Sequence, residues 1–306
     1  MSASSVVKRI RDLASNRLVH QITGGIVALL CLGYLAALLA QNWNELLTYD
    51  WQISFGQFGL AFSYYSVGLG VTALGWGLIV GRFAPDTSLR KHFKYYAYTN
   101  LVRRLPAPFL YLLGRMVLYE QEGVSKPLMA TTSLLEWILL VVSGLVVCSL
   151  TLPFSPLSEQ LYTQWILLAI LAFGIVLLHP RVIRSILRRL KQPHALVDYR
   201  YYNALMWVAV YSMTWIAGGL ILFSVLNGLH PLSLTQLPAV IGLWTLSGLA
   251  TSLAFVISAG FGLKELTLVI LLGYLVPSPL PVVAALLMRV CVTLFEIIWA
   301  LIAMLL

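Results

Sequence analysis

Residues 92–119 read HFKYYAYTNLVRRLPAPFLYLLGRMVLY. The first part of this stretch is too polar to face lipid, and the last part is apolar apart from Arg115. Pro106 and Pro108 divide the two. Proline removes a backbone donor and disfavours helix in the residue before it. A segment broken at its centre, with long apolar runs on both sides, predicts a re-entrant helical hairpin that enters and leaves on one face of a membrane. Non-helical backbone at that depth is tolerated only under a cover of protein or beside a wet cavity.

The rest of the chain agrees with a membrane setting. Of its 306 residues, 60% are hydrophobic and 10% charged, with a mean hydropathy of +0.88. Soluble domains carry about 25% charged residues. The composition predicts an all-α polytopic protein, with residues 1–306 forming a single integral membrane domain. A spanning helix needs about 20 apolar residues. Six runs qualify, at 22–41, 57–82, 128–152, 160–180, 203–227 and 282–305. The first is too long for a typical signal-peptide core and lacks a small-x-small cleavage site, so it reads as retained. Cys31, Cys148 and Cys291 lie in apolar segments without metal or disulfide spacing and read as small core residues.

The net charge of +9 is unevenly spread. Lys8, Arg9, Arg11 and Arg17 precede the first run, within a segment 1–21. Six bases lie between Arg82 and Arg104, and six more between Arg181 and Arg200. The connections 42–56, 153–160 and 228–237 contain no Lys or Arg. The positive-inside rule then puts the amino terminus and both basic stretches in the cytoplasm. Anionic lipid headgroups account for these bases without a nucleic-acid partner. Residues 181–192 place Val182, Ile183, Ile186, Leu187 and Leu190 on one helical face opposite Arg184, Arg188 and Lys191. That pattern predicts an interfacial amphipathic helix. Gly77 and Gly81 form a small-xxx-small pair of the helix-packing kind.

A second break falls at Ser258-Ala259-Gly260-Phe261-Gly262, inside the apolar stretch 238–276. Glycine permits a tight turn there. The stretch reads as a second re-entrant hairpin, opening outward; two full spans also fit its hydropathy. From Pro106 to Glu136 and from Ala259 to Arg289 the spacing is 30 residues in each case. Each interval holds a break, a half-helix, a Gly- or Pro-bearing connection and a long helix with one charge. Interrupted helices at matching positions in two halves point to a transport site. The expected architecture is six transmembrane helices plus two hairpins in an inverted repeat, with repeat regions 57–152 and 203–306.

Arg115, Glu136, Glu265 and Arg289 all sit in or beside apolar stretches. A charge at mid-bilayer costs roughly 2.5–3.5 kcal/mol on insertion scales. Such residues persist when they pair, face a wet cavity or handle a substrate. Arg115 and Glu136 flank a short turn, so they can pair between neighbouring helices. Glu265 and Arg289 repeat the arrangement with signs exchanged. Either pair can pin its hairpin, or its arginine can hold a phosphate through the guanidinium fork. Lys264 reads as a second base beside the glycine turn or as a snorkelling residue, and Glu296 as a structural partner of Arg289. Asn100, Arg103 and Arg104 precede the first break, either at the rim of a cavity or at the interface. The four central charges are expected to line one polar cavity between the halves.

Signatures of soluble chemistry are missing from the sequence. It contains no HExxH, GxSxG or Walker loop. Asp12, Asp50, Asp86 and Asp198 form no close acidic pair, and the histidines are scattered. No metal, cofactor or catalytic residue is expected.

The run L105-PAPFLYLLGR-M116, then G123-VSKP-L128 and S133-LLEW-I138, resembles the first signature of the lysylphosphatidylglycerol synthetase transmembrane-region family. S258-AGFGLKE-L266 resembles its second signature, and A285-LLMR-V290 its arginine helix. Pro106-Ala107-Pro108 stands where that family usually has Pro-Gly, and Ala259 where it usually has proline. The resemblance covers roughly 57–306. It implies a flippase-like membrane domain of the bacterial cytoplasmic (inner) membrane that moves a phospholipid or lipid-linked sugar between leaflets. It also implies that Arg115, Glu136, Glu265 and Arg289 are the functional charges, with Pro106, Pro108, Gly260 and Gly262 as backbone breaks. The expected partner is an anionic or glycosylated membrane lipid. A soluble lipid synthase or glycosyltransferase and a second copy of the chain remain open as protein partners. A membrane-embedded transferase and a non-transporting scaffold are the alternative functions.

Overall fold

A computed structural model describes residues 36–83, 87–102, 110–159, 201–254 and 262–305, with 33, 34 and scattered positions between 165 and 181. The described residues are helical and contain no strand. In chain order the helices are α1 (Trp43–Thr48), α2 (Phe55–Phe83), α3 (Leu89–Val102), α4 (Leu110–Glu120), α5 (Lys126–Thr151), α6 (Tyr201–Asn227), α7 (Leu237–Ala254), α8 (Leu263–Leu272) and α9 (Leu280–Leu305).

Five helical stretches are long and apolar enough to cross a membrane: Phe55–Arg82, Lys126–Phe154, Tyr201–Asn227, Leu234–Ser252 and Leu280–Leu305. Four coincide with expected spans to within a few residues. The fifth is the first limb of the stretch 238–276, read from sequence as part of a hairpin; as a helix it is long enough to span. Its start is clean because Pro238 stands in the first helical turn, where a missing N–H costs nothing. The expected spans 22–41 and 160–180 and the amphipathic segment 181–192 lie largely outside the described residues.

Besides the six-residue α1, three helices are short. At 1.5 Å per residue, α3 is about 21 Å long, α4 about 16 Å and α8 about 15 Å, against a hydrocarbon thickness of about 30 Å. The short helices α3 and α4 pack side by side. Their far ends are tied where Lys91 Nζ meets Glu122 Oε2 at 2.6 Å and Tyr95 OH donates to Glu122 Oε1 at 2.7 Å. Gly123, at φ +81°, turns the chain from there into α5. Helices α7 and α8 form a second packed pair, of which only α8 is short. The connections at its open end meet the segment before α2. Ser278 Oγ lies 2.8 Å from Asn42 Oδ1 and 2.6 Å from Glu45 Oε2, and Tyr49 OH lies 2.9 Å from His230 Nδ1.

The core is built around α6, which packs on α2, α7 and α5. Small residues allow the helix axes to approach. A Cβ at Gly218 would sit 2.0 Å from Trp244 Nε1, and one at Gly219 would sit 2.6 Å from the Ile241 backbone. Trp215 fills the matching recess beside Gly144 and Gly248 and donates its indole N–H to the Leu140 carbonyl at 2.9 Å. In hydrocarbon, where burial of apolar surface drives no association, close packing of this kind holds helices together. Gly77 has the expected packing role, with its Cα facing His92 and Leu89 of α3; a Cβ at Gly81 would meet nothing within 4 Å. Cys148 and Cys291 are buried and free.

Helix α9 closes the bundle on the α3 side. Trp299 stacks edge-on to Phe93 and donates to Ser66 Oγ at 2.9 Å, while Tyr98 OH donates to the Ala303 carbonyl.

Candidate functional site

The two charge pairs form, each linking a short helix, α4 or α8, to the long helix that follows. In the first, Arg115 of α4 donates from Nη1 to Glu136 Oε2 on α5. Arg115 Nε lies 3.4 Å from Thr99 Oγ1, and Tyr211 OH of α6 donates to Glu136 Oε1 at 3.2 Å. A Cβ at Gly114 would meet Thr99 Cγ2 at 3.6 Å, an ordinary contact distance. Aromatic rings enclose the guanidinium. Its Cζ lies 4.0 Å from the centre of the Trp76 ring, 4.8 Å from that of Tyr96 and 5.5 Å from that of Tyr111. A cation over such faces gains about 0.5–2 kcal/mol, more when desolvated. The Arg115 and Glu136 side chains are only 4% and 6% exposed.

The same network continues toward the tied end of α3 and α4. Trp76 Nε1 donates to Tyr119 OH at 2.7 Å, and His92 Nδ1 lies 2.6 Å from that hydroxyl. These residues, like Thr99, Tyr96 and Tyr211, were not singled out from sequence. One signal was available: His92, Tyr96 and Thr99 recur at helical spacing along a segment too polar to face lipid.

The second pair is built differently. Arg289 Nη1 of α9 donates to Glu265 Oε1 of α8 at 2.8 Å, with side chains 26% and 11% exposed. Glu265 Oε2 is buried, and no donor among the described residues reaches it. Glu265 stands in the first turn of α8, where a negative charge complements the helix dipole. That helix starts at Gly262, whose φ of +82° is a left-handed conformation that suits glycine. Lys264 points toward α7, its Nζ 3.5 Å from the centre of the Trp244 ring.

The charge pattern predicts one cavity shared by all four residues; the first pair departs from that expectation. Rings and helices close around Arg115 and Glu136, because a guanidinium in hydrocarbon is stabilised by aromatic faces as well as by water. A cavity of about 290 Å³ lies along α2 and α3, lined by Gly70, Ala73, Leu74, Leu89, Arg90 and Phe93, and contains none of the four. Asn100 is half-buried on α3, beside Thr99. Arg103, Arg104, Pro106, Pro108 and Gly260 lie outside the described residues. Glu296 is buried on α9. Among the described residues no group of three His, Cys, Asp or Glu side chains could hold a metal ion.

No family model, curated protein or solved structure matches the chain. Its fold and site define a multi-pass helical membrane protein with two ion pairs between short and long helices.

Proposed function

We propose that this protein moves a membrane lipid, either a phospholipid or a lipid-linked sugar, between the leaflets of the bacterial cytoplasmic membrane. One observation carries the reading: two short helices, α4 and α8, each locked by an ion pair to the next long helix, with the signs of the pair exchanged. Interrupted helices in corresponding positions are a recurrent way of building a membrane transport site.

The re-entrant arrangement is part of the proposal. Its first hairpin is α3–α4, opening to the cytoplasm through the basic end that carries Lys91. Its second is α7–α8, opening outward through connections free of Lys and Arg. The ties Lys91–Glu122 and Ser278–Asn42 support these assignments, because each brings together the two ends of a hairpin, or the exit of one and a base-free connection. The matching order of short helix and ion-paired long helix supports an inverted repeat. A phosphate would meet Arg289, while acyl or prenyl tails stay in lipid between helices. The family resemblance, resting on the residues quoted above, favours the same reading.

The test is a leaflet-exchange assay in proteoliposomes with fluorescent phospholipids and a prenyl-phosphate sugar. Protein-bearing vesicles should expose inner-leaflet probe to an impermeant quencher faster than empty vesicles. Equal rates across the panel contradict the proposal.

A further inference from the structure

The two ion pairs differ in how fully their acids are satisfied. Glu136 uses both carboxylate oxygens, one for Arg115 and one for Tyr211, behind a wall of aromatic rings. Glu265 uses one. Its Oε1 takes the Arg289 guanidinium, and its Oε2 is buried with no donor among the described residues. An ionised carboxylate is acceptor-only, and leaving one of its oxygens unmet in a buried site is costly. The same pair is the more open of the two, with Arg289 26% exposed against 4% for Arg115. A buried acceptor without a donor, beside a partly open arginine, is the form of a site whose ligand brings the donor.

We propose that Glu265 receives the hydrogen-bond donor of a lipid headgroup, a hydroxyl or an ammonium, next to a phosphate held by Arg289. The inference rests on the lipid-transport reading and names the headgroup class it takes. Glu136 has no such role; it is a fixed partner that keeps Arg115 in its cage. A headgroup carrying phosphate but no donor would leave Oε2 unmet and bind less well. Charge-assisted hydrogen bonds are roughly twice as strong as neutral ones, so the preference depends on the ionised acid.

The full chain in nanodiscs of equimolar phosphatidylethanolamine, phosphatidylglycerol and phosphatidylcholine, followed by native mass spectrometry of retained lipid, tests this. The first lipid carries an ammonium donor, the second hydroxyl donors and the third neither, so the two arms separate the sources of the donor. The wild-type chain should retain one or both donor lipids over phosphatidylcholine by about tenfold, the factor a hydrogen bond to a charged group supplies. Glu265→Gln should bring that ratio close to one. The paired replacement Glu265→Leu with Arg289→Leu, which strands no charge, should do the same in a folded chain. Replacing Arg115 and Glu136 together by Leu should leave the ratio at its wild-type value. The inference is overturned if the wild-type chain shows no preference, or if both Glu265 variants keep it. A protein that moves lipid in vesicles without headgroup preference would refute this inference alone, whereas one that moves no lipid would refute the transport reading.

Discussion

Glu265 grips Arg289 with one carboxylate oxygen, at 2.8 Å, and holds the other buried without a donor among the described residues. Arg115 and Glu136 repeat that link one half earlier in the chain, with acid and base exchanged, but leave no carboxylate oxygen unmet. The same connection between a short and a long helix thus exists in a closed form and in a partly open one. The difference lies in the surroundings: three aromatic rings stand over Arg115, while about a quarter of the Arg289 side chain is exposed.

Breaking the first pair should be the more damaging. Removing one partner of a buried ion pair costs about 3–5 kcal/mol, because the other charge is left uncompensated. Glu136→Ala is expected to lower the thermal midpoint in detergent far more than Glu265→Ala, whose arginine is about a quarter exposed rather than caged by rings. Replacing Arg115 and Glu136 together by Leu should recover most of the loss. Thermal melts of the single and double variants check this, and a double variant no better than Glu136→Ala would contradict the assignment.

Gly218 is predicted to be intolerant of any side chain. A Cβ there would fall 2.0 Å from Trp244 Nε1, so α6 and α7 must separate or the indole must turn. Overpacking of this kind typically costs about 1–3 kcal/mol. Because Lys264 sits over the same ring, Gly218→Ala should also weaken that contact. A lower thermal midpoint with altered tryptophan emission is the expected result; Gly81→Ala, at an open position, is the control.

Much of the scaffold was legible in the sequence. Long apolar runs with few charges gave α2, α5, α6 and α9, because hydrocarbon demands continuous helix wherever backbone meets lipid. The pairing of Arg115 with Glu136 and of Glu265 with Arg289 was also legible, since short connections make neighbours of consecutive helices. What could not be read was the depth and enclosure of each charge. That depends on residues far apart in the chain, such as Trp76 and Tyr211 around Arg115. Limb length misled as well: α7, read from sequence as one limb of a hairpin, is a helix long enough to span.

The Lys91–Glu122 tie predicts a pH dependence at the α3–α4 end. Hydrogen bonds from Lys91 and then Tyr95 hold the Glu122 carboxyl below its ordinary range. On acidification the unfolded chain therefore takes up the Glu122 proton first, so the link contributes stability above the ordinary glutamate value and loses it as pH falls through the lower, folded one. Lys91 is half-exposed, which keeps the contribution small. Between about pH 5 and pH 3, spanning the glutamate range, the thermal midpoint of wild type should fall more steeply than that of Glu122→Gln. Parallel curves would contradict the tie.

The proposed hairpins predict openings on opposite faces. Glu122→Cys should react with an impermeant maleimide only from the cytoplasmic side, and Ser278→Cys only from the outside. Cys148 and Cys291 are buried and should stay unlabelled in the folded protein. Labelling of both introduced cysteines from one side would contradict the opposed arrangement.

The account turns on lipid passing the Glu265–Arg289 pair, and leaflet exchange in proteoliposomes measures that directly. Wild-type protein should speed exchange well above empty vesicles. The Glu265→Leu and Arg289→Leu double variant should fall to the empty-vesicle rate, while the folded Arg115→Leu and Glu136→Leu double variant still exchanges lipid. Exchange unchanged by the loss of Glu265 and Arg289, or no faster with wild-type protein than without it, would contradict the account.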